Sequence, residues 1–140
     1  MPALSLKVAP LLNPAQYRAL AHALTQLTAE HLGKREEVTA VVIDDMPAAH
    51  WYIGGRDVER ATALLEISIT AGTNTAAQKE TFIAAAYAEL EQQLGHGQGL
   101  EEASYVIVRE LPASDWGYGG KTQAARRQKA PALQAQNAVF

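Results

Sequence analysis

With 140 residues, 48% of them hydrophobic and 19% charged, the chain has the size and composition of one globular domain with a real core, which argues against disorder of the whole. Its net charge of -3 and pI near 5.8 lack the basic surplus that phosphate backbones select, so nucleic acid is not expected as a partner. The absence of cysteine rules out disulfides and thiolate metal sites and suits a reducing, cytoplasmic setting.

The chain opens on MPALSLKV. Leu4 to Ala9 alternates apolar and polar residues, with Leu4, Leu6 and Val8 on one face, as a half-buried strand does. Lys7 interrupts what would have to be the apolar core of a signal peptide. No run nears the roughly 18 apolar residues of a membrane span, so no membrane partner is expected. Pro2, ahead of this strand, is either a tolerated start residue or, once Met1 is removed, a free secondary amine at a strand tip. Asn13, Pro14 and Gln16 then supply a helix cap, a proline at the first helical position and a glutamine close behind. Leu20, Leu24 and Leu27 form the apolar stripe of that helix, which should stop at Gly33. A β-rich run follows from Val38 to Asp44, and then the segment MPAAHWYIGG from Met46 to Gly55.

The same order then returns. Leu65 to Thr70 alternates with Leu65, Ile67 and Ile69 on one face, and Thr75 to Gln78 fits a capping box. A helix carrying Phe82, Ile83, Ala86 and Leu90 should stop near Gly95, and a β-rich run follows from Ser104 to Glu110. LPASDWGYGG, from Leu111 to Gly120, aligns without a gap against Met46 to Gly55 and shares its proline, alanine, tryptophan and glycine pair. The second copy is longer only around GHGQGLEE, so the chain reads as a duplication. Each copy is a β-α-β unit with a right-handed crossover and two parallel strands. Two such units predict an α+β fold: a four-stranded sheet with both helices on one face. The other face should carry Ala3, Ser5, Lys7, Leu64, Glu66 and Ser68, too mixed for a core, which predicts self-association.

A proline after Met1 at the head of a strand, a β-α-β unit, and a trailing aromatic-X-X-Gly-Gly loop (HWYIGG, then DWGYGG) together resemble the 4-oxalocrotonate tautomerase superfamily. The doubled layout is similar to its fused members, in which two short units form one chain and three chains make a trimer. The resemblance spans about residues 2–122. It implies a single tautomerase-like (MIF-like) domain over residues 1–140, with repeat 1 at about 2–56, repeat 2 at about 63–122 and a tail at 123–140. It further implies a homotrimer, no cofactor, and Pro2 as catalytic base in keto-enol proton transfer on a small enol or unsaturated keto acid. The chemistry is sound on its own terms, because a neutral amine can take a proton beside a carbonyl and return it further along a dienol. Its reference pKa near 8 falls toward neutrality when an apolar pocket or a cation surrounds it. The second copy has Ala63 at the equivalent position, which predicts one active site per chain.

Aligned on the diglycine loops, the resemblance sets Trp51 at a pocket wall, with Trp116 as its counterpart; packing of a hairpin accounts for both tryptophans equally well. The arginines that dicarboxylate-specific members carry before each helix and on the second strand are missing. Leu12, Thr73, Asn74, Ala40 and Tyr105 stand near those positions. A carboxylate therefore needs another clamp, with Arg109 the first candidate and Arg56 and Lys121 behind it; surface charge for solubility is the plainer account of each. Tyr105 is a candidate hydrogen-bond donor to a carbonyl oxygen, or a half-buried strand aromatic. His22, His31, His50 and His96 share no metal-ligand spacing, so no metal is expected, and only His50 lies beside a tryptophan loop. The basic stretch KTQAARRQK reads as a solvated tail that docks on a neighbour or frays. Two other functions fit the same residues: a hydratase or dehalogenase-like enzyme with protonated Pro2 as general acid, and a non-catalytic trimeric binding protein.

Overall fold

The computed structural model describes residues 2–129; Met1 and the tail beyond Lys129 lie outside the described residues. The first unit consists of strand β1 (Ala3–Ala9), helix α1 (Pro14–Leu32) and strand β2 (Ala40–Asp45), followed by a small hairpin of β3 (Tyr52–Ile53) and β4 (Arg56–Asp57). The second repeats this as β5 (Thr62–Thr70), α2 (Ala76–Leu94) and β6 (Tyr105–Leu111), with a hairpin of β7 (Gly117–Tyr118) and β8 (Lys121–Thr122), and ends in α3 (Gln123–Lys129).

The main sheet has the order β2-β1-β5-β6. Pairing is parallel within each unit and antiparallel where β1 meets β5 at the centre, with Ala3 opposite Ser68 and Ala9 opposite Thr62. That central pairing relates the units by an approximate two-fold, so the start of β1 lies beside the end of β5. This one feature decides which loops approach Pro2.

Both helices start as the sequence directs. The Asn13 carboxamide oxygen accepts from the Gln16 N–H at 2.9 Å while the Gln16 side chain accepts from the Asn13 N–H at 2.9 Å. Thr75 and Gln78 reciprocate in the same way at 3.1 and 2.9 Å, which satisfies N–H groups that a helix start otherwise leaves unpaired. Gly33 ends α1 in the left-handed region at φ 67°, where a glycine costs least.

Leu4, Leu6 and Val8 of β1 and Leu65, Ile67 and Ile69 of β5 face the helices and meet Leu20, Leu24, Leu32, Phe82, Ala86 and Leu90 in one core. The α2 stripe is turned slightly from the expected one. Leu94 is buried and Ile83 is exposed, because the helix presents Phe82, Ala86 and Leu90 at four-residue spacing to the sheet. β2 starts two residues later than the apolar run, since Glu36–Val38 close a 3-10 turn before the strand.

The opposite sheet face is open. It carries Ala3, Ser5 and Lys7, Leu64, Glu66 and Ser68, and on the outer strands Val42, 64% exposed, and Tyr105, 61% exposed. The basic stretch KTQAARRQK, expected as a tail that docks on a neighbour or frays, begins inside the second hairpin and continues as a helix. Its first two residues form β8 and the next seven form α3, held to their own chain by Gln123 N–H to the Trp116 carbonyl (3.0 Å) and Ala124 N–H to the Ala113 carbonyl (2.9 Å). The Arg126 guanidinium lies 3.8 Å from the Tyr118 ring centroid. Among the described residues, no helix is long and apolar enough to cross a membrane.

Candidate active site

Pro2 is buried at the head of β1, and its carbonyl accepts the Ala40 N–H at 3.3 Å. The next residue, Ala3, is flanked by Ala40 of β2 and Ser68 of β5. Pro2 therefore lies at the end of a central strand, with the last residues of β5 alongside.

That end of the sheet is built largely from the second unit. After Thr70 the chain turns through Ala71–Asn74, with the Ala71 N–H bonded to the Leu111 carbonyl at 2.9 Å. The Thr73 hydroxyl donates to the Thr70 carbonyl (2.7 Å), and the Trp116 indole N–H donates to the Thr70 hydroxyl (3.2 Å). From the first unit, Lys34 follows the Gly33 cap and donates from Nζ to Thr73 Oγ1 at 2.8 Å. Asn74 Nδ2 bonds the Leu32 carbonyl at 2.9 Å, which fastens the turn to the end of α1.

Lys34 is only 3% exposed. Burial above all, and then the positive charge of Arg127, lower the pKa of its ammonium to about 8 against the opposing pull of Glu110. Glu110 is itself paired with Lys79 at 3.2 Å. Close by in the bonding network, Gln123 is wholly buried and neither atom of its side-chain amide has a hydrogen-bond partner; Asn74 Oδ1 is likewise buried and unpartnered.

The other end of the sheet is closed by its own hydrogen bonds. Ala63, at the position equivalent to Pro2, gives its amide N–H to Ser104 Oγ at 3.1 Å, and the Thr62 and Ser104 hydroxyls are 3.2 Å apart. The Glu101 carboxylate accepts the N–H groups of Arg60 and Glu59, and Asp45 accepts the Leu12 N–H and the Tyr17 hydroxyl. These bonds hold both carboxyls below the usual range.

The residues singled out from the sequence divide between three places. Pro2, half-buried Trp116 and Lys121 of β8 share one end. His50, in the 3-10 turn Ala48–His50, half-buried Trp51 and exposed Arg56 follow β2 and so sit at the far end, about 20 Å away along the seven residues of β1. Tyr105 and Arg109 project from β6 onto the open face. Arg109 stands beside Ser68, in line with Ala3, and bonds Glu66 at 3.0 Å. Lys34 and Gln123 were not among the residues picked from the sequence. A lysine after a helix-ending glycine has the ordinary look of a surface residue, and its burial depends on a turn almost 40 positions further along.

The family model described as Tautomerase enzyme matches residues 3–61, the first unit. Native fused 4-OT superposes at a TM-score of 0.74 with 25% identity, covering 88% of this chain and 97% of that chain. The F6 fused 4-OT wild-type asymmetric trimer gives 0.77 and 23%, covering 89% and 98%. Pt0534 inactivated by 2-oxo-3-pentynoate gives 0.75 and 15%, again covering 89% and 98%. No curated protein matches the chain.

Proposed function

Since the chain belongs to the 4-oxalocrotonate tautomerase superfamily, as a member of the fused type, we propose that it is a tautomerase in which Pro2 moves a proton on a small enol or unsaturated keto acid. The observation that carries this reading is the burial of Pro2 at the tip of a central strand, at the end of the sheet where Lys34 bonds Thr73 and the Trp116 indole bonds Thr70. Removal of Met1 turns the Pro2 amide into a secondary amine. As the neutral base it takes the enol hydroxyl proton while the carbonyl forms, and returns that proton to a carbon of the conjugated system, so nothing is gained or lost overall. Burial and the nearby ammonium both favour the neutral amine. The strand fixes the direction of its lone pair.

Trp116 forms the pocket wall contributed by Pro2's own chain. Trp51, at the far end of its own sheet, reaches a Pro2 only across a subunit boundary, with His50 and Arg56 beside it. A homotrimer assembled over the open sheet faces supplies that boundary; fused 4-OT, a protein of this fold, forms trimers. Arg109 and Tyr105 then lie in the subunit interface, where Glu66 already engages Arg109.

The test is chemical and needs no natural substrate. 2-Oxo-3-pentynoate, which inactivates a protein of this fold, can add an amine across its triple bond: the nitrogen bonds the distal alkyne carbon and its proton ends on the carbon beside the ketone. Intact-mass measurement should find the chain without Met1. After treatment, peptide mapping should find one added equivalent, on Pro2. A retained Met1, or modification elsewhere with Pro2 untouched, overturns the reading.

A further inference from the structure

We infer that Gln123, the first residue of α3, is a specificity-determining residue of the Pro2 site, and that its side-chain amide takes a neutral carboxamide at the end of the substrate away from the reacting carbons. This rests on the tautomerase reading and deepens it.

Gln123 is wholly buried, and neither its Nε2 nor its Oε1 has a hydrogen-bond partner among the described residues. Native interiors rarely leave both halves of an amide unused unless a ligand or water meets them. Packing gives no reason for a glutamine here, since methionine or leucine fills a similar volume without that cost. Nor does α3 need the side chain to stay in place. The Gln123 N–H is held by the Trp116 carbonyl at 3.0 Å, the Ala124 N–H by the Ala113 carbonyl at 2.9 Å, and Arg126 Nη2 donates to the Tyr118 carbonyl at 2.8 Å.

Two sets of contacts turn this amide to the end of the sheet that carries Pro2. Trp116, whose carbonyl receives the Gln123 N–H, gives its indole N–H to Thr70 Oγ1 at 3.2 Å. Thr70 ends β5, which runs antiparallel beside β1 with Ser68 opposite Ala3, the neighbour of Pro2. Arg127 lies four residues along α3, on the same helix face as Gln123. Its charge is felt by Lys34, which bonds Thr73 in the turn after β5.

The unused groups define the class of ligand. Gln123 offers an NH2 donor and an acceptor oxygen, and Asn74 Oδ1, in the turn that holds Thr73, is a second buried acceptor with no partner. A carboxylate has acceptors alone, so it could take the Gln123 NH2 only by setting its charge against those oxygens. A primary carboxamide answers in kind: its carbonyl accepts from Nε2 while its NH2 donates to Oε1. The substrate is then an unsaturated keto acid whose distal end is an amide and not a second carboxylate.

The enols of phenylpyruvate and of its 3- and 4-carbamoyl and 3- and 4-carboxy derivatives share the reacting carbons and differ only on the ring. For the better of the two carbamoyl enols, kcat/KM should exceed that of the carboxy enol substituted at the same position by about 10-fold or more, because the wrong group leaves buried polar atoms unpaired. Gln123→Met, an unbranched side chain of similar length, should lower kcat/KM for that carbamoyl enol by about 10-fold, mainly through KM, and leave phenylpyruvate within about twofold. Gln123→Leu should give the same split and guards against a variant that disturbs α3. A parent enzyme with no preference for carbamoyl over carboxy overturns the inference. So do variants that lose as much on phenylpyruvate as on the carbamoyl enol, or that lose nothing on either. Pro2→Ala assayed alongside keeps the two claims apart: if it abolishes ketonisation while the Gln123 variants keep the parental preference, only the inference about Gln123 falls. If Pro2→Ala retains the full rate, the tautomerase reading itself falls.

Discussion

Pro2→Ala should lower kcat/KM for ketonisation of the enol of phenylpyruvate by about 10²–10⁴-fold, the range that a positioned general base contributes. The variant leaves an amine at the chain start, so the loss measures what the ring supplies. Proline makes that amine secondary, holds the lone pair at a fixed angle and removes the freedom of a rotating terminal group. Lys34 and the Thr73, Thr70 and Trp116 bonds lie outside the altered residue, so KM should move less than kcat. A variant blocked at the nitrogen by a retained Met1 should be as slow or slower. Steady-state kinetics on the two proteins check both statements, and a Pro2→Ala enzyme within threefold of the parent would contradict them.

The second large effect concerns the scaffold. Phe82 is the largest of the fully buried side chains, set on α2 in the core that joins both units. Phe82→Ala should cost about 3–5 kcal/mol, from lost transfer free energy together with the cavity left behind. For a chain of this size that lowers Tm by about 10 °C. Urea unfolding should show the midpoint falling with little change in slope. A shift of less than about 1 kcal/mol would mean that the core collapses around the gap and that the two units are held together elsewhere.

Much of the fold was legible because its signals are local. Alternation in LSLKVA and LEISIT fixes which side chains of β1 and β5 face the helices, and the Asn13 and Thr75 caps start both helices where a side chain can reach the third N–H beyond it. Gly33 ends α1 in the left-handed region as a glycine there suggests. At the end of α2, however, Gly95 stays right-handed and the positive φ passes to His96 and Gly97. The longer connection there gives the chain room to turn later.

The candidate site was only partly legible, because it depends on pairing between the two units. Aligning the repeats makes Trp51 and Trp116 equivalent, but equivalence says nothing about which one neighbours Pro2. That depends on the antiparallel junction of β1 with β5, which lays the end of β5, where Trp116 bonds Thr70, beside the start of β1. Lys34 escaped for the same reason. Its neighbours Thr73, Glu110 and Arg127 come from a turn, an outer strand and a short helix that the residues around it do not foretell. Arg109, the first cation to consider on sequence grounds, has Glu66 as its partner on the open face.

The measurement that bears most directly on a neutral Pro2 amine as the base is the pH dependence of kcat/KM for enol ketonisation between roughly pH 5 and 8, below the reference value of an α-amino group. The amine must lose its proton before it can accept one from the substrate. The rate should therefore climb with pH through a single pKa lower than about 8 and level off once the amine is neutral, and this limb should shift or vanish in Pro2→Ala. A rate that falls as pH rises across that interval would mean that the ammonium is the working form and would contradict the account.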